Sequence, residues 1–344
     1  MNKLIPVNIF LSAIAALFIV GKTNAQDPNF SQILSSPTSI SPALTGFGES
    51  SFRLMSNYRS QWIGLGSTYN TFAAAADGKI NSINNNSYYT ALGGSIIQDN
   101  AMDGIYKNTT ATLNAAYHLT MDERGNGLTF GLGAIYNNTR IDFSQLTFDT
   151  QLSSAGFNRA LPTGEVSLKN MKGYFSLCAG LMFTHTSDET YYAIGVAGYR
   201  FTKTQRTVLD DASQYDAPRY SIHADYATAL SDRLNFNASI FHMIKAGTST
   251  TIAGGIFGFI NNSTVYADGP LSIFNLGAFY RLGNAVIPYV GFEYHNLSIG
   301  LTYDVDVSTA TAGSAVAKSF ELSLVWRKFA EDAKPAAGKY HSPF

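Results

Sequence analysis

Residue types able to do chemistry are few in this chain and widely spaced. Six histidines stand at 118, 185, 223, 242, 295 and 341, with no i,i+4 pair to put two imidazoles on one helix face for zinc. No metal site is therefore expected, and His118 and His242 read as strand residues facing a lumen or a neighbour. The single cysteine, Cys178, excludes an internal disulfide framework and a thiolate zinc site; it reads as a small apolar strand residue. Asp210 and Asp211 form an acidic pair of the kind that sits solvated in a loop. The chain contains no G-x-S-x-G, G-x-x-x-x-G-K-[ST] or H-E-x-x-H. The expectation is a protein with no enzymatic activity, cofactor or metal.

The elements that must position these residues are of an unusual kind. Charged residues are only 14% of 344, while a soluble domain carries roughly 25%. Hydrophobic residues are nevertheless just 45%, beside 20 Tyr, 23 Phe and 30 Gly. That mixture suits a chain alternating polar and apolar faces. A formal net charge of −1 gives no basic field for nucleic acid, which is not expected as a partner. Met1-Asn2-Lys3, the apolar stretch from Ile9 to Val20 and the small-x-small ending Thr23-Asn24-Ala25 predict a signal peptide over 1–25, cut between Ala25 and Gln26. Its apolar core is shorter than the ~20 residues of a spanning helix. No cysteine stands at the cut, which excludes a lipoprotein. Nothing later approaches a transmembrane helix, so any membrane span must be made of strands.

Period-two patterning recurs along the rest of the chain. From Leu297 to Val305 every odd position is apolar and every even one polar or glycine; Phe320 to Trp326, Leu234 to Ile240 and Ala111 to Ala115 alternate similarly. A strand puts such residues on two opposite faces, whereas a helix scatters them. The pattern predicts an all-β transmembrane antiparallel barrel of about fourteen strands over 49–329. They fall near 50–61, 68–79, 88–99, 109–121, 127–140, 172–185, 190–201, 218–230, 233–245, 249–260, 271–282, 284–294, 297–307 and 317–328, each about the length a tilted membrane strand needs. An even number places both chain ends on the periplasmic side. Odd-numbered connections should then be the long external loops, as 141–171 and 202–217 are; 261–270 is an even connection that is too long.

In a soluble β-sandwich the second face would carry Lys, Glu and Asp. Here it carries Ser, Asn, Thr and Gly, the pattern of lipid outside and a hydrated or plugged lumen inside. Tyr58, Trp62, Tyr88, Tyr89, Tyr191, Tyr192, Tyr294, Tyr303, Trp326 and Phe329 fit interfacial girdles. Arg53, Arg59, Glu293, Glu321 and Arg327 lie on the less apolar face and would form a lumenal network, serving barrel stability or a selectivity or plug-docking surface. Pro288 is awkward in a closed barrel and calls for a bulge or a later strand start.

The mature N-terminus, 26–48, has prolines at 28, 37 and 42. Proline removes backbone donors, so this is an extended segment and not a central strand. It is expected to be ordered in the periplasmic mouth or lumen, with Phe30 as its anchor; 330–344 is expected to be a periplasmic tail. Either Phe329 or Phe344 could end the assembly signal, and Phe329 is preferred because Pro335 stops a strand short of Phe344. The run Gln26-Asp27-Pro28-Asn29-Phe30-Ser31-Gln32, then Pro37, then Ser41-Pro42-Ala43-Leu44-Thr45-Gly46, then Tyr58-Arg59-Ser60-Gln61-Trp62, resembles the PorP/SprF family of the type IX secretion system in Bacteroidetes. Gly300 to Val305 and Glu321 to Leu324 are similar to the family's closing strands. Ser41 replaces the usual Asn of the second motif, and Ala330 to Phe344 extends past the last strand. The resemblance implies a non-enzymatic barrel in the outer membrane of a Gram-negative bacterium. Such a barrel would help secrete or anchor a cognate surface protein such as a gliding adhesin, with periplasmic or outer-membrane parts of the machinery as partners. A porin or solute channel is the rival reading. Asp27, Pro28, Phe30, Ser31, Gln32, Pro42 and Gly46 are the candidate partner-binding or plug residues. Tyr58, Arg59, Gln61 and Trp62 are the candidate barrel motif.

Overall fold

A computed structural model describes residues 30–64, 67–80, 87–154, 156–165, 172–187, 190–202, 216–261, 272–307 and 318–329. The expected signal peptide, Asp27, Pro28 and the tail 330–344 lie outside the described residues. Alternation produces strands: β1 (Phe52–Ile63), β2 (Tyr69–Lys79), β3 (Tyr88–Ala101), β4 (Tyr106–Thr120) and β5 (Asn126–Ile141). A two-residue hairpin follows, β6 (Leu152–Ser153) and β7 (Gly156–Phe157). Then come β8 (Tyr174–Thr186), β9 (Thr190–Tyr199), β10 (Arg219–Ser231), β11 (Leu234–Lys245), β12 (Thr248–Asn261), β13 (Ser272–Arg281), β14 (Ala285–Tyr294), β15 (Leu297–Asp306) and β16 (Lys318–Lys328). All but the hairpin form one closed barrel of fourteen antiparallel strands, with β16 pairing back onto β1.

The expected bounds hold to within a few residues. The largest change is at β4, which starts at Tyr106 and not 109. A tight turn at Met102–Gly104, with Met102, Asp103 and Gly104 all in the left-handed region, lets β3 and β4 run on toward each other. Pro288 needs neither a bulge nor a later start. Register with β15 is the same on either side of it, Val286 opposite Val305 and Tyr289 opposite Thr302. The ladder simply skips Ile287 and Pro288, because the proline lacks the N–H that β15 would accept.

Faces follow the pleat. Leu301 is 52% exposed on the outer wall while its neighbour Thr302 is 1% exposed inside. The strand ends joined by the long connections 142–173, 200–218 and 307–317 lie at one end of the barrel. At that end Tyr58, Trp62, Tyr220, Tyr280 and Tyr303 ring the outer wall; Tyr88, Tyr117, Tyr192, Tyr294 and Trp326 ring it at the other. These are two girdles, as a membrane barrel requires. Two expected girdle residues belong inside. Tyr191 is buried in the lumen, one residue out of phase with exposed Tyr192, and Tyr89 stacks on lumenal His118 at 4.2 Å. The inner wall is also less uniformly polar than expected. From β8 to β14 it presents Met182, Tyr191, Phe241, Met243, Ile252, Ile256, Phe279 and Ile287 in one apolar cluster.

Candidate functional site

Residues 30–50 fill the lumen. Prolines at 37 and 42 start short helical turns, Pro37–Ile40 and Pro42–Leu44, each with proline at its first position, where a missing N–H costs nothing. Ser41 takes the N-cap role for the second turn, its hydroxyl accepting from the Ala43 N–H at 3.2 Å. Compact turns shorten the segment to fit the barrel, and nearly every side chain from Phe30 to Gly46 is buried.

One wall grips this segment by hydrogen bonds. Glu321 on β16 accepts the consecutive backbone N–H groups of Ser31 (2.6 Å) and Gln32 (3.2 Å). Gln32 Nε2 donates to the Glu321 carbonyl at 3.0 Å, and Ser323 Oγ donates to Gln32 Oε1 at 2.5 Å. Ser31 Oγ donates to Asp304 at 2.8 Å. Asp304 also accepts from Arg59 (2.8 Å) and Arg281 (2.9 Å). Two guanidinium groups and two carboxylates therefore balance around Ser31, which is what makes buried charge tolerable. Further along, Arg53 holds Asp77 through Nε and Nη2 and donates to the Leu44 carbonyl at 2.9 Å. Asp77 accepts the Gly46 N–H at 2.7 Å. His118 Nε2 meets the Thr45 carbonyl at 2.8 Å, and Lys79 Nζ donates to the Gly48 carbonyl at 2.6 Å.

The opposite wall packs. Ile33, Ile40, Ala43 and Leu44 join the apolar cluster of β8–β14. Phe30 is buried too, at 7% exposure, yet the contiguous anchor is this aliphatic set and not Phe30. Three hydrogen bonds supplement the packing toward the long-loop end: Tyr199 to the Thr38 carbonyl, Arg219 to that of Ser39 and Ser221 to that of Ile40. Glycine makes room. A Cβ at Gly131 would stand 2.3 Å from the Ala43 nitrogen, and one at Gly180 would stand 2.5 Å from Ser41 Oγ. Gly46 has φ +64, and a Cβ there would meet Ala91 at 2.3 Å.

The segment has a direction. Ser51 donates to the Lys328 carbonyl at 2.7 Å, at the short-turn end where β1 begins. Ser31, by contrast, meets Asp304 and Arg281, two residues and none from the long-loop ends of β15 and β13. The chain therefore ascends the lumen from residue 50 back to residue 30.

Of the candidate plug residues, Phe30, Ser31, Gln32, Pro42 and Gly46 all lie in this lumenal contact. Among the candidate lumen charges, Arg53 and Glu321 bind the segment. Arg327 and Glu293 share Ser298 instead, at 2.6 and 3.1 Å, and neither hydrogen-bonds the segment. The barrel motif splits by parity. Arg59 points inward to Asp304, whereas Tyr58 faces out, its hydroxyl donating to Asn70 at 3.3 Å. Gln61 is half-buried. Trp62 takes φ +60 where the register with β16 shifts, and its ring meets Tyr69 edge-on at 5.6 Å. His118 lies in the lumen, one of the two places its sequence reading allows, whereas Asp77, Asp304, Arg281 and Arg219 are not singled out by the sequence. Their signal was present, since each is an ionisable residue at an inward phase of its strand. Among the described residues no group of three or more His, Cys, Asp or Glu is placed to hold a metal. Cys178 is buried, its thiol 3.7 Å from Asn114 Oδ1.

Residues 22–326 match the family described as type IX secretion system membrane protein PorP/SprF. Among solved structures, the fold is similar to the toluene transporter TbuX of Ralstonia pickettii. That pair is 10% identical with a TM-score of 0.51, covering 86% of this chain and 94% of that one. The toluene transporter TodX of Pseudomonas putida is likewise similar, at 8% identity and a TM-score of 0.50 over 94% of this chain and 100% of that one. At such identities the likeness is one of fold alone. No curated protein matches the chain in sequence.

Proposed function

The chain belongs to the PorP/SprF family of type IX secretion system membrane proteins, and from that premise we propose that it is a self-plugged outer-membrane barrel that helps secrete or anchor a cognate surface protein, such as a gliding adhesin. The observation that carries this reading is the lumen, filled by the protein's own residues 30–50. A general porin needs an open passage. Among the described residues, three cavities flanking the segment hold about 50, 10 and 20 Å³, room for one or two waters each. The work of such a barrel falls to its surfaces: long loops outside for the client, short turns below for the machinery.

The test replaces residues 30–47 with a Gly/Ser linker of equal length. Barrel level in the membrane should persist, ion conductance in planar bilayers should rise, and surface display of the client should fall. Normal display alongside the new conductance would show the segment to be a plug without a role in secretion. Large steady conductance by the unaltered protein would favour the porin reading.

A further inference from the structure

We propose that Lys107 and Arg140, on the outer wall at the long-loop end, form a binding site for the phosphate of a membrane lipid. Lys107 stands at the start of β4 and Arg140 at the end of β5, and the strand register sets them directly opposite each other. Both are exposed. Both take outward phases, in step with Leu113 and Tyr117 on β4 and with Leu132 and Tyr136 on β5. Directly opposed residues hold their Cβ atoms roughly 4.5–5.5 Å apart, where like charges repel. Two cations so placed call for an anion between them.

The protein supplies little of one. Among the described residues, every Asp and Glu of the barrel strands takes an inward phase, from Asp77 on β2 to Glu321 on β16. The outward phases of those strands carry Lys107, Arg140, Lys318 and Lys328 and no carboxylate. Asp142, just past β5, attracts Lys107. Its own oxygens are taken up by Ser144 and Gln145, at 2.6 and 2.8 Å, and no salt bridge engages either cation among the described residues.

Depth selects the lipid. β4 and β5 are 15 and 16 residues long, beyond the roughly 9–11 that a tilted span requires. Tyr117 opposite Phe130 keeps their outer face apolar close to the short turn, so the excess length lies at the long-loop end. There, successive outward rows across β3, β4 and β5 change character. Ile96, Ala111 and Tyr136 form an apolar row. One pleat further out stand Gln98, Thr109 and Asn138, and one pleat beyond them Asn100, Lys107 and Arg140. That is the order of a lipid followed from its tails: hydrocarbon, polar linkage, phosphate. The two cations lie four residues beyond Ala111 and Tyr136, roughly 10 Å along the axis of a barrel whose strands tilt by about 40°, at the level of the headgroups. A lipid lying on the apolar row therefore carries its phosphate to the pair, where Arg140 can fork onto two oxygens and Lys107 can meet a third. Which leaflet this is rests on the orientation proposed above; the cation pair and its depth do not.

The test uses the full chain extracted in detergent, with native mass spectrometry after exposure to defined lipids. Probes are diphosphoryl lipid A, the same lipid with both phosphates removed, and inorganic phosphate as a competitor. The unaltered protein should retain the diphosphoryl form about tenfold better than the dephosphorylated one, the worth of one charge-assisted hydrogen bond. Replacing both cations, Lys107→Gln with Arg140→Gln, should abolish that preference and keep the barrel's heat-modifiable gel mobility. Lys328→Gln removes an outward cation at the opposite end of the barrel and should leave the preference in place. Equal retention of the two lipids by the unaltered protein would overturn the assignment, as would a preference that survives the double substitution or falls equally in Lys328→Gln. Full displacement of the lipid by inorganic phosphate would overturn it too, by making the pair a site for the free ion. Any of these failures beside normal client display would leave the secretion reading intact.

Discussion

The two halves of the lumen wall hold one segment by different physics. From β15 through β16 and β1 to β5, the wall offers charged and polar groups that each meet a particular backbone atom of the segment: Glu321 for Ser31 and Gln32, Arg53 for Leu44, Asp77 for Gly46. From β8 to β14 it offers mainly hydrocarbon to Ile33, Ile40, Ala43 and Leu44, with polar contacts confined to the long-loop end, where Tyr199, Arg219, Ser221 and Arg281 meet the segment. Hydrocarbon is indifferent to register, and each large side chain fully buried contributes about 1.5–3 kcal/mol. Buried ion pairs add little net stability, yet they are intolerant of misplacement. The apolar half therefore holds the segment in, and the polar half sets where each residue sits.

The strongest way to break this comparison is to deny the segment its space. Gly131→Val would put side-chain atoms where the Pro42–Ala43 peptide lies. We expect the segment to be expelled and the lumen to conduct, measured in planar bilayers; a closed, stable variant would mean that the wall yields. Next comes the polar half. Glu321→Ala leaves Arg59 short of a partner and orphans two N–H groups, at an expected cost of ~3–5 kcal/mol, read from the urea midpoint of unfolding in detergent. Leu44→Ala attacks the apolar half and should cost ~2–5 kcal/mol in the same assay. Combining these two sharpens the comparison. Independent walls give additive losses, whereas a segment released as a unit by either change gives a double variant little worse than the poorer single. The smallest expected effect is Ser323→Ala, which loses its bond to Gln32 Oε1 and should cost about 1 kcal/mol; a loss as large as that of Glu321→Ala would mean that the polar wall acts as one network.

The polar half was the legible half. In β15 the alternation of Leu301, Thr302, Tyr303 and Asp304 separates lipid side from lumen side without ambiguity. In β12 it fails, because Ile252, Ile256 and Ile260 face inward while Phe257 and Phe259 face out. A strand covered on both faces reads as a continuous apolar run, so 249–260 is legible as a strand while its inward face is not. The adjacent tyrosines 191 and 192 show the same limit: one residue of phase decides between core and girdle. The segment's burial could be anticipated from its prolines and aromatic residue, but its partners could not. Which of many inward polar groups meets Ser31 or Gly46 depends on strand register around a closed cylinder, and that is set by all fourteen pairings together.

The ascent of residues 50 to 30 through the lumen also imposes an order of events in time. A ring closed by β1 on β16 encircles a strand of its own chain, as a bead encircles a thread. Either the ring closes around a thread already in place, or the free end is fed through afterwards. The second route demands a slender leading end, so a bulky folded domain fused ahead of residue 26 would stall it while leaving the first route open. Pulse-chase assembly of such a fusion distinguishes them: a closed barrel with a protected segment 30–50 means the ring forms last, and a closed but conducting barrel means that threading is the final step.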